Sequence, residues 1–185
     1  MNIITYIFSI LYFCLPAYLL NMAPPIYAKL KIFNFLAKPI DLNKKFLGNP
    51  ILGHHKTYRG AICSFVTGFL VVLAQQWLYR LHFFQKISIL NYYQSNVIWF
   101  ALLISSGAIF GDLLFAFIKR RIGLQPGAVF LPFDQINYII GAYIFTEHFF
   151  HIGLLNWIVL IILTFFLHLF VNYLGFLLKI SQNKF

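Results

Sequence analysis

Long apolar runs separated by polar and basic segments make up most of the chain. A helix needs about 20 mainly apolar residues to cross the hydrocarbon core of a bilayer, and five runs approach that length. They predict helical spans over Asn2–Asn21, Ala61–Tyr79, Val97–Ile118, Gln135–Phe150 and Gly153–Leu178. The pattern therefore predicts an all-α polytopic membrane protein with about five transmembrane helices, folded as a single domain over residues 1–185.

The connections between the runs refine this layout. Only His151 and Ile152 separate the fourth run from the fifth, so we expect these two helices to form a tight hairpin. The segment Ile87–Asn96 is too short and too polar to span, which indicates a loop or an interfacial stretch. The first run lacks the basic start and the small-residue cleavage site of a signal peptide, and we expect it to be retained.

Composition agrees with a membrane protein and excludes several other classes. Hydrophobic residues make up 61% of the chain and charged residues 10%. Soluble domains are nearer 45–50% apolar and about 25% charged, so a soluble enzyme, a disordered tail and a disulfide scaffold are all excluded. Cys14 and Cys63 both lie inside apolar runs, without the spacing of a metal site, and are predicted to be buried free thiols.

The positive charges set an orientation. A five-span layout places twelve of the 14 Lys and Arg residues on one side of the membrane and only Arg80 and Lys86 on the other. Lys and Arg gather on the cytoplasmic side, so we expect a cell-membrane protein with polar cytoplasmic loops, an outside N-terminus and a cytoplasmic C-terminus. No nucleic-acid partner is expected, and the sequence does not indicate an oligomeric state.

The chain has only four acidic residues, and their positions are informative. Asp112 lies inside the third predicted span, Asp134 at the cytoplasmic start of the fourth and Asp41 in the first cytoplasmic loop, whereas Glu147 lies toward the outside. A carboxylate within a span costs roughly 2.5–3.5 kcal/mol, so it usually faces a wet cavity or a partner. Lys119 is two turns from Asp112 on the same helix face. These residues could form a buried charge pair, or a metal or substrate site.

Two cytoplasmic loops favour the second interpretation. Residues 47–60 and 123–132 are rich in glycine, and the first also carries Lys56 and Arg59. Glycine lets backbone N–H groups approach a phosphate, while Lys and Arg supply charge and directed donors. Two acids could hold Mg²⁺ beside cations that hold a polyphosphate. Neither loop has the spacing of a Walker A motif.

An ordered set of short motifs extends from about residue 21 to residue 179. It comprises Asn21-Met-Ala-Pro24-Pro25, Asp41 followed by Gly53-His-His-Lys56-Thr57-Tyr58-Arg59-Gly60, Gly111-Asp112 followed by Lys119-Arg120-Arg121, Gly127 followed by Pro132-x-Asp134-Gln135, Gly141-Ala142, and His168-x3-Asn172-Tyr173. This set resembles the CDP-archaeol synthase family, which is related to the phosphatidate cytidylyltransferases. Single motifs are loose, but their order is specific.

The resemblance implies a membrane-bound, Mg²⁺-dependent transfer of CMP from CTP to an archaeol-type lipid phosphate, which yields a CDP-activated lipid and pyrophosphate. It implies that Asp112 and Asp134 bind the metal and form the catalytic centre with Lys119. The candidate substrate- and phosphate-binding residues are Lys56, Thr57, Arg59, Arg120, Arg121, Asn21, Gln135 and Asn172. Because Arg120 and Arg121 point about 100° apart on a helix, we expect at least one of them to face headgroups or solvent.

Two positions depart from the family pattern. Ala116 stands where the family often has Ser, and Asn137 stands where it often has a second acid. An amide oxygen can ligate Mg²⁺ but brings no charge, which leaves the number of metal ions open.

The alternative functions are a cytidylyltransferase for ordinary phosphatidate, a small transporter that uses Asp112 as its ion site, and a structural subunit of a larger complex.

Overall fold

Long helices form the body of the protein. The computed structural model describes residues 2–177, without the side chains of residues 172 and 174–177. The predicted end of the last span at Leu178 and the tail residues Lys179 and Lys184 lie outside the described residues. Within them, the helices are α1 Ile3–Lys29, α2 Tyr58–Leu78, α3 His82–Ile87, α4 Val97–Arg121, α5 Phe133–Phe150 and α6 Leu154–Leu177.

The polytopic all-α fold is confirmed, with one predicted span weaker than the others. Among residues 2–177, α1, α2, α4 and α6 are long and apolar enough to cross a bilayer. The shorter α5 has 18 residues and carries Asp134 and Glu147 near its ends. It buries polar side chains such as Asn137 and Thr146 inside the protein, where they avoid lipid. At a rise of 1.5 Å per residue, its length is still close to that of the hydrocarbon core.

The first helix is longer than its apolar run predicts. It begins at Ile3 after the N-cap Asn2, whose side chain accepts a hydrogen bond from Thr5 N at 2.8 Å, and it continues through Pro24 and Pro25 to Lys29. Each proline removes one backbone donor, but the helix persists for another turn beyond them. The start of the first loop is therefore displaced from residue 22 to residue 30.

Two loops meet at one end of the bundle: the first loop, residues 30–57, and the second loop, residues 122–132. The first loop contains a short antiparallel hairpin, β1 Lys45–Phe46 and β2 Asn49–Pro50, which the sequence did not predict. The two ends of the first loop are joined by hydrogen bonds from Ile40 N to Lys56 O at 2.8 Å and from Tyr58 N to Lys38 O at 3.0 Å. The first loop is therefore an ordered unit rather than an extended linker.

Helices α4 and α5 touch backbone to backbone through three glycines, Gly107, Gly111 and Gly141. A Cβ atom added at Gly107 would lie 2.6 Å from the carbonyl oxygen of Gly141, and one added at Gly141 would lie 2.7 Å from Gly111 Cα. Both distances are shorter than any normal carbon contact, so only glycine permits this approach. The contact holds the two helices that carry Asp112 and Asp134 at a fixed separation.

The opposite end of α5 is fixed by Glu147. Its carboxylate accepts hydrogen bonds from Ile152 N at 3.0 Å, Gly153 N at 2.9 Å and Trp157 Nε1 at 2.8 Å. These bonds tie the end of α5 to the start of α6, as the predicted tight hairpin requires. Cys14 and Cys63 are free and buried, as predicted from their apolar surroundings.

Candidate active site

Two lysine–aspartate pairs form the centre of the site. The ammonium of Lys56 lies 2.7 Å from both carboxylate oxygens of Asp112. The ammonium of Lys119 lies 2.9 and 2.8 Å from the two oxygens of Asp134. The side chains of Asp112 and Asp134 are 33% and 29% exposed, so a ligand can reach both carboxylates. Lys119 lies on the face of α4 expected from its spacing, but its partner is Asp134 rather than Asp112.

Helix packing and a loop place these four side chains together. Asp112 directly follows Gly111 at the contact with α5. Asp134 lies in the first turn of α5, where it also accepts a hydrogen bond from Phe130 N at 2.8 Å. A carboxylate is stabilised at this end of a helix by the free N–H groups and the helix dipole. Lys56 comes from the first loop, just before α2 begins.

The two pairs share a cavity of about 360 Å³ between α4, α5 and the two loops. Its charged and polar wall consists of His55, Lys56, Asp112, Lys119, Arg120, Asp134 and Asn137. A smaller cavity of about 70 Å³ adjoins it and is lined by Asn21 and Thr57 among others. His55, Lys56 and Asp112 line both cavities, so the two spaces meet at the first lysine–aspartate pair.

Within residues 2–177, Arg120 lines the large cavity with two nitrogen atoms that have no hydrogen-bond partner. Its side chain is 3% exposed, and within residues 2–177 neither Nε nor Nη1 has a hydrogen-bond partner. Burying a charged donor without a partner is costly, so such a group is poised to bind an anion. Asp134 is close enough to interact with Arg120 electrostatically. The wall of the large cavity therefore combines several cationic side chains with two carboxylates.

Several candidate residues lie elsewhere. Arg121 donates to backbone carbonyls of the hairpin, including Pro50 O at 2.6 Å. Arg59 donates to Asn34 Oδ1 at 2.7 Å in the first loop, rather than to a group of the large cavity. Thr57 caps α2 by accepting a hydrogen bond from Gly60 N at 3.1 Å.

The remaining polar candidates divide among three places. Asn21 lines the small cavity and also a largely apolar one of about 280 Å³ between α1, α5 and α6, which His168 lines as well. Gln135 is 2% exposed, and its Oε1 atom has no partner within residues 2–177. Asn172 lies in α6, but its side chain is outside the described residues.

Asn137 and His55 are site residues that sequence reasoning passed over. Asn137 was noted as a departure from a family pattern, but its amide nitrogen lies 3.5 Å from Asp112 Oδ1 and it lines the large cavity. For His55 the sequence leaves open a phosphate contact or a solvated side chain and slightly favours the second; in the structure it lines the large cavity. Partial burial and the nearby charges of His54, Lys56 and Arg120 lower the pKa of the His55 imidazole, which is therefore neutral at pH 7.

Asp41 organises the first loop. Its carboxylate is buried and accepts hydrogen bonds from Asn43 N at 3.0 Å, Leu52 N at 2.9 Å and Gly53 N at 2.8 Å. Burial alone would raise the pKa of this carboxyl, but the backbone donors outweigh it and hold the pKa below its usual value. Gly53 in turn contacts the second loop, because a Cβ atom there would lie 3.3 Å from Pro126 Cγ.

Comparison with known proteins identifies the family. A family model described as CarS-like, CDP-archaeol synthase, matches residues 3–185. The chain belongs to the CDP-archaeol synthase family. Family membership confirms the prediction of an enzyme, a CTP-dependent lipid-phosphate cytidylyltransferase of the CDP-archaeol synthase type.

Individual relatives of the CDP-archaeol synthase family match over nearly their whole length. The chain is 31% identical over 183 residues to the CDP-archaeol synthase of Methanococcus maripaludis strain S2, covering 98% of each protein. It is 34% identical over 185 residues to that of Methanosarcina barkeri strain Fusaro, covering 91% of this chain and 98% of the relative. A solved structure of an intramembrane enzyme for archaeal membrane lipid biosynthesis has the same fold, with a TM-score of 0.70, 21% identity, and coverage of 88% and 91%.

Proposed function

We propose that this protein transfers CMP from CTP to the phosphate of an archaeol-type ether lipid, yielding a CDP-activated lipid and pyrophosphate with Mg²⁺ as cofactor. The observation that carries the proposal is the large cavity, in which Arg120 has unpartnered donors beside the Lys56–Asp112 and Lys119–Asp134 pairs. A transfer between two phosphates needs positioned cations and a metal site, and little acid–base chemistry.

The residues of the cavity fit a magnesium ion. Mg²⁺ is usually held by one or two carboxylates together with substrate phosphates and water. Within residues 2–177, no group of three or more His, Cys, Asp or Glu side chains could hold a metal by itself. Asp112 and Asp134 would hold the ion with oxygens of the triphosphate. Asn137 turns its amide nitrogen toward Asp112 Oδ1 at 3.5 Å, while its amide oxygen accepts a hydrogen bond from Tyr138 N at 2.6 Å. When bound, Mg²⁺ neutralises phosphate charge and polarises the phosphorus centre.

The lysines and Arg120 bind and orient the phosphates. With Asp112 and Asp134 holding the metal, Lys56 and Lys119 would be free to donate to phosphate oxygens. Arg120 offers the donors of Nε and Nη1, two nitrogen atoms that have no partner in the described residues. An oxygen of the lipid phosphate attacks the α-phosphorus, the bond from that phosphorus to the bridging oxygen breaks, and pyrophosphate leaves. The nucleophile is already an anion, so its alignment limits the rate more than its deprotonation.

An apolar groove offers the lipid a route to this centre. The groove has a volume of about 460 Å³, lies between α2 and α4, and is lined by Phe65, Phe110 and Phe145 among others. It shares Ala61, Ile109 and Leu113 with the small cavity that Lys56 and Asp112 line. A hydrocarbon chain in the groove would therefore lead its phosphate toward the first lysine–aspartate pair. Burial of methylene groups supplies the affinity, at about 0.8 kcal/mol each.

The membrane orientation belongs to the same proposal. The loops that carry the site belong to the lysine- and arginine-rich side, which favours a multi-pass protein of the cell membrane with the N-terminus outside and the site facing the cytoplasm. CTP is a cytoplasmic nucleotide and the lipid phosphate lies at the headgroup level, so both substrates would reach one cavity. No nucleic acid has a role in this reaction.

Incorporation of labelled CTP into lipid tests the proposal. Purified protein in lipid nanodiscs with Mg²⁺ should transfer label from CTP labelled at the α-phosphate into the lipid, and release label from the γ-phosphate as pyrophosphate. An ether-linked archaeol-type phosphate should be used at least 10-fold more efficiently than a diacyl phosphatidate. Equal use of both would overturn the choice of lipid, and no transfer to either would overturn the function. Ion flux that depends on Asp112 without CTP would favour a transporter.

A further inference from the structure

Arg120 and Arg121 end the same helix with the same chemistry, but their guanidinium groups lie in different surroundings. Gly123 has a φ of 82°, and Leu124 N donates to Lys119 O at 3.0 Å, so α4 stays helical to its end. Successive residues of a helix point about 100° apart. Arg120 accordingly lines the large cavity, whereas Arg121 points to the hairpin of the first loop.

The two terminal nitrogens of Arg121 donate to the backbone of that hairpin, whereas its Nε has no hydrogen-bond partner within residues 2–177. Its Nη1 donates to Phe46 O on one strand, and its Nη2 donates to Pro50 O at 2.6 Å and to Asn49 O at 3.3 Å on the other. Its guanidinium carbon lies 5.1 Å from the centroid of the Phe46 ring and 5.0 Å from that of Phe117. A planar group held between two rings and three carbonyls is fixed in both position and orientation.

The hairpin continues directly into the part of the first loop that lines the large cavity. Leu52 follows two residues after Pro50, and its N–H is held by Asp41 at 2.9 Å. Lys56 comes four residues later and reaches Asp112. Leu52, His55 and Lys56 all line the large cavity. Arg121 therefore holds the hairpin, and Asp41 holds the segment that follows it. The same loop then leads to Lys56, which lines the large cavity.

We propose that Arg121 is a positioning residue, which fixes the first loop against α4 so that the loop presents Lys56 to the cavity. It does not bind the phosphates of CTP, and Arg120 is the arginine that does. The inference rests on the proposed function, because it assigns the two arginines different roles in the same reaction. Lysine at position 121 would keep the charge but could not span both strands, since its ammonium lacks the planar fork.

Hydrogen exchange of the full-length protein in lipid nanodiscs, without nucleotide, tests the positioning directly. In Arg121→Gln and in Arg121→Lys, the backbone amides of residues 43–53 should exchange about 10-fold faster than in the wild type, because the loop opens more often. The matched variant Arg120→Gln should exchange like the wild type in this segment. If the amides of residues 43–53 exchanged at the wild-type rate in Arg121→Gln or in Arg121→Lys, the proposal would be overturned.

The salt dependence of CTP binding separates the two arginines in the presence of ligand. Removing a cation that contacts phosphate weakens binding and reduces its dependence on ionic strength. Arg120→Gln should show both effects, whereas Arg121→Gln, which removes no cation that contacts phosphate, should lose less of the salt dependence than Arg120→Gln while kcat falls about 10-fold. A reduction of the salt dependence in Arg121→Gln as large as that in Arg120→Gln would overturn the proposal. A wild type that binds no CTP would refute the proposed function, and the exchange experiment would still decide whether Arg121 holds the loop.

Discussion

Lys56 donates to both carboxylate oxygens of Asp112, although the two residues are 56 positions apart in the sequence. One comes from a loop and the other from the middle of a helix, so this pair joins the first loop to the bundle. The second pair, Lys119 with Asp134, joins α4 to α5. Each carboxylate is therefore compensated by a lysine from a different element.

The two acids are expected to be essential for turnover. Asp112→Asn and Asp134→Asn each remove one charge from the proposed Mg²⁺ site, and kcat should fall about 100-fold or more, or roughly 3 kcal/mol in activation free energy. Initial rates of CDP-lipid formation, measured on correctly inserted protein, check this. Asn137→Ala removes an uncharged side chain from the same wall and should lose less. Near-normal activity in either aspartate variant would contradict the metal site.

Replacing either site lysine should reduce activity. Lys56→Met and Lys119→Met each remove one charge-assisted phosphate contact, which is worth roughly 1.5–3 kcal/mol, or about 10- to 100-fold in kcat/KM for CTP. Lys29→Met is the matched control, because Lys29 is exposed at the end of α1. If all three variants had equal rates, the lysine–aspartate pairs would have no part in the reaction.

The glycine contact between α4 and α5 should be intolerant of a methyl group. In Gly141→Ala the new Cβ atom would lie 2.6 Å from Gly111 N, and such overpacking typically costs 1–3 kcal/mol. The melting temperature in detergent should fall by several degrees. Gly60→Ala in α2 places its Cβ atom at 3.3 Å or more from its neighbours and should change the melting temperature little. Similar melting temperatures for both variants would show that α4 and α5 can separate.

Asp41 should stabilise the protein only above acidic pH. Its folded-state pKa lies below the ordinary value of 3.8, so its contribution is complete above about pH 4 and is lost as the pH falls through the folded-state pKa. Asp41→Asn should cost roughly 1.5–3 kcal/mol at pH 7, because Asn leaves backbone donors of the first loop without an acceptor. Thermal unfolding of both proteins from pH 7 to pH 3 measures this, and a difference that widens as the pH falls would contradict it.

Labelling of introduced cysteines tests the orientation. Lys44→Cys lies on the exposed hairpin side of the first loop and should react with an impermeant reagent only from the cytoplasmic face. Tyr93→Cys, at a residue 66% exposed between α2 and α4, should react only from outside. The native Cys14 and Cys63 are buried and should stay silent. A reversed labelling pattern would invert the orientation and move the site to the outer face.

Much of the helical framework could be predicted because hydrophobic length alone defines a span. The predicted span Val97–Ile118 differs from α4 only by the three basic residues at its end. The helix α1 ends eight residues beyond its predicted end. An apolar run indicates where a span crosses the bilayer, but not whether the helix continues into the interface. The hairpin of the first loop was missed because its two-residue strands carry no periodic pattern.

Many of the charged residues that line the large cavity could be identified from the sequence, but their pairing could not. The acids and cations could be identified from their rarity, their positions and the family motifs. That Lys56 binds Asp112, and that Lys119 binds Asp134, depends on how a loop folds back and how two helices cross, and neither is encoded in local spacing. The different surroundings of Arg120 and Arg121 are a tertiary property of the same kind.

The direct contact of Gly111 with Gly141 has a consequence for the conditions under which the protein can work. The helices that bear Asp112 and Asp134 approach until their main chains touch, so the gap between them is set by van der Waals contact of backbone atoms rather than by adaptable side chains. Lipids that thicken, thin or stiffen the surrounding bilayer will tilt the outer helices before they alter this gap. We therefore expect the separation of Asp112 and Asp134 to depend little on the fluidity of the surrounding membrane.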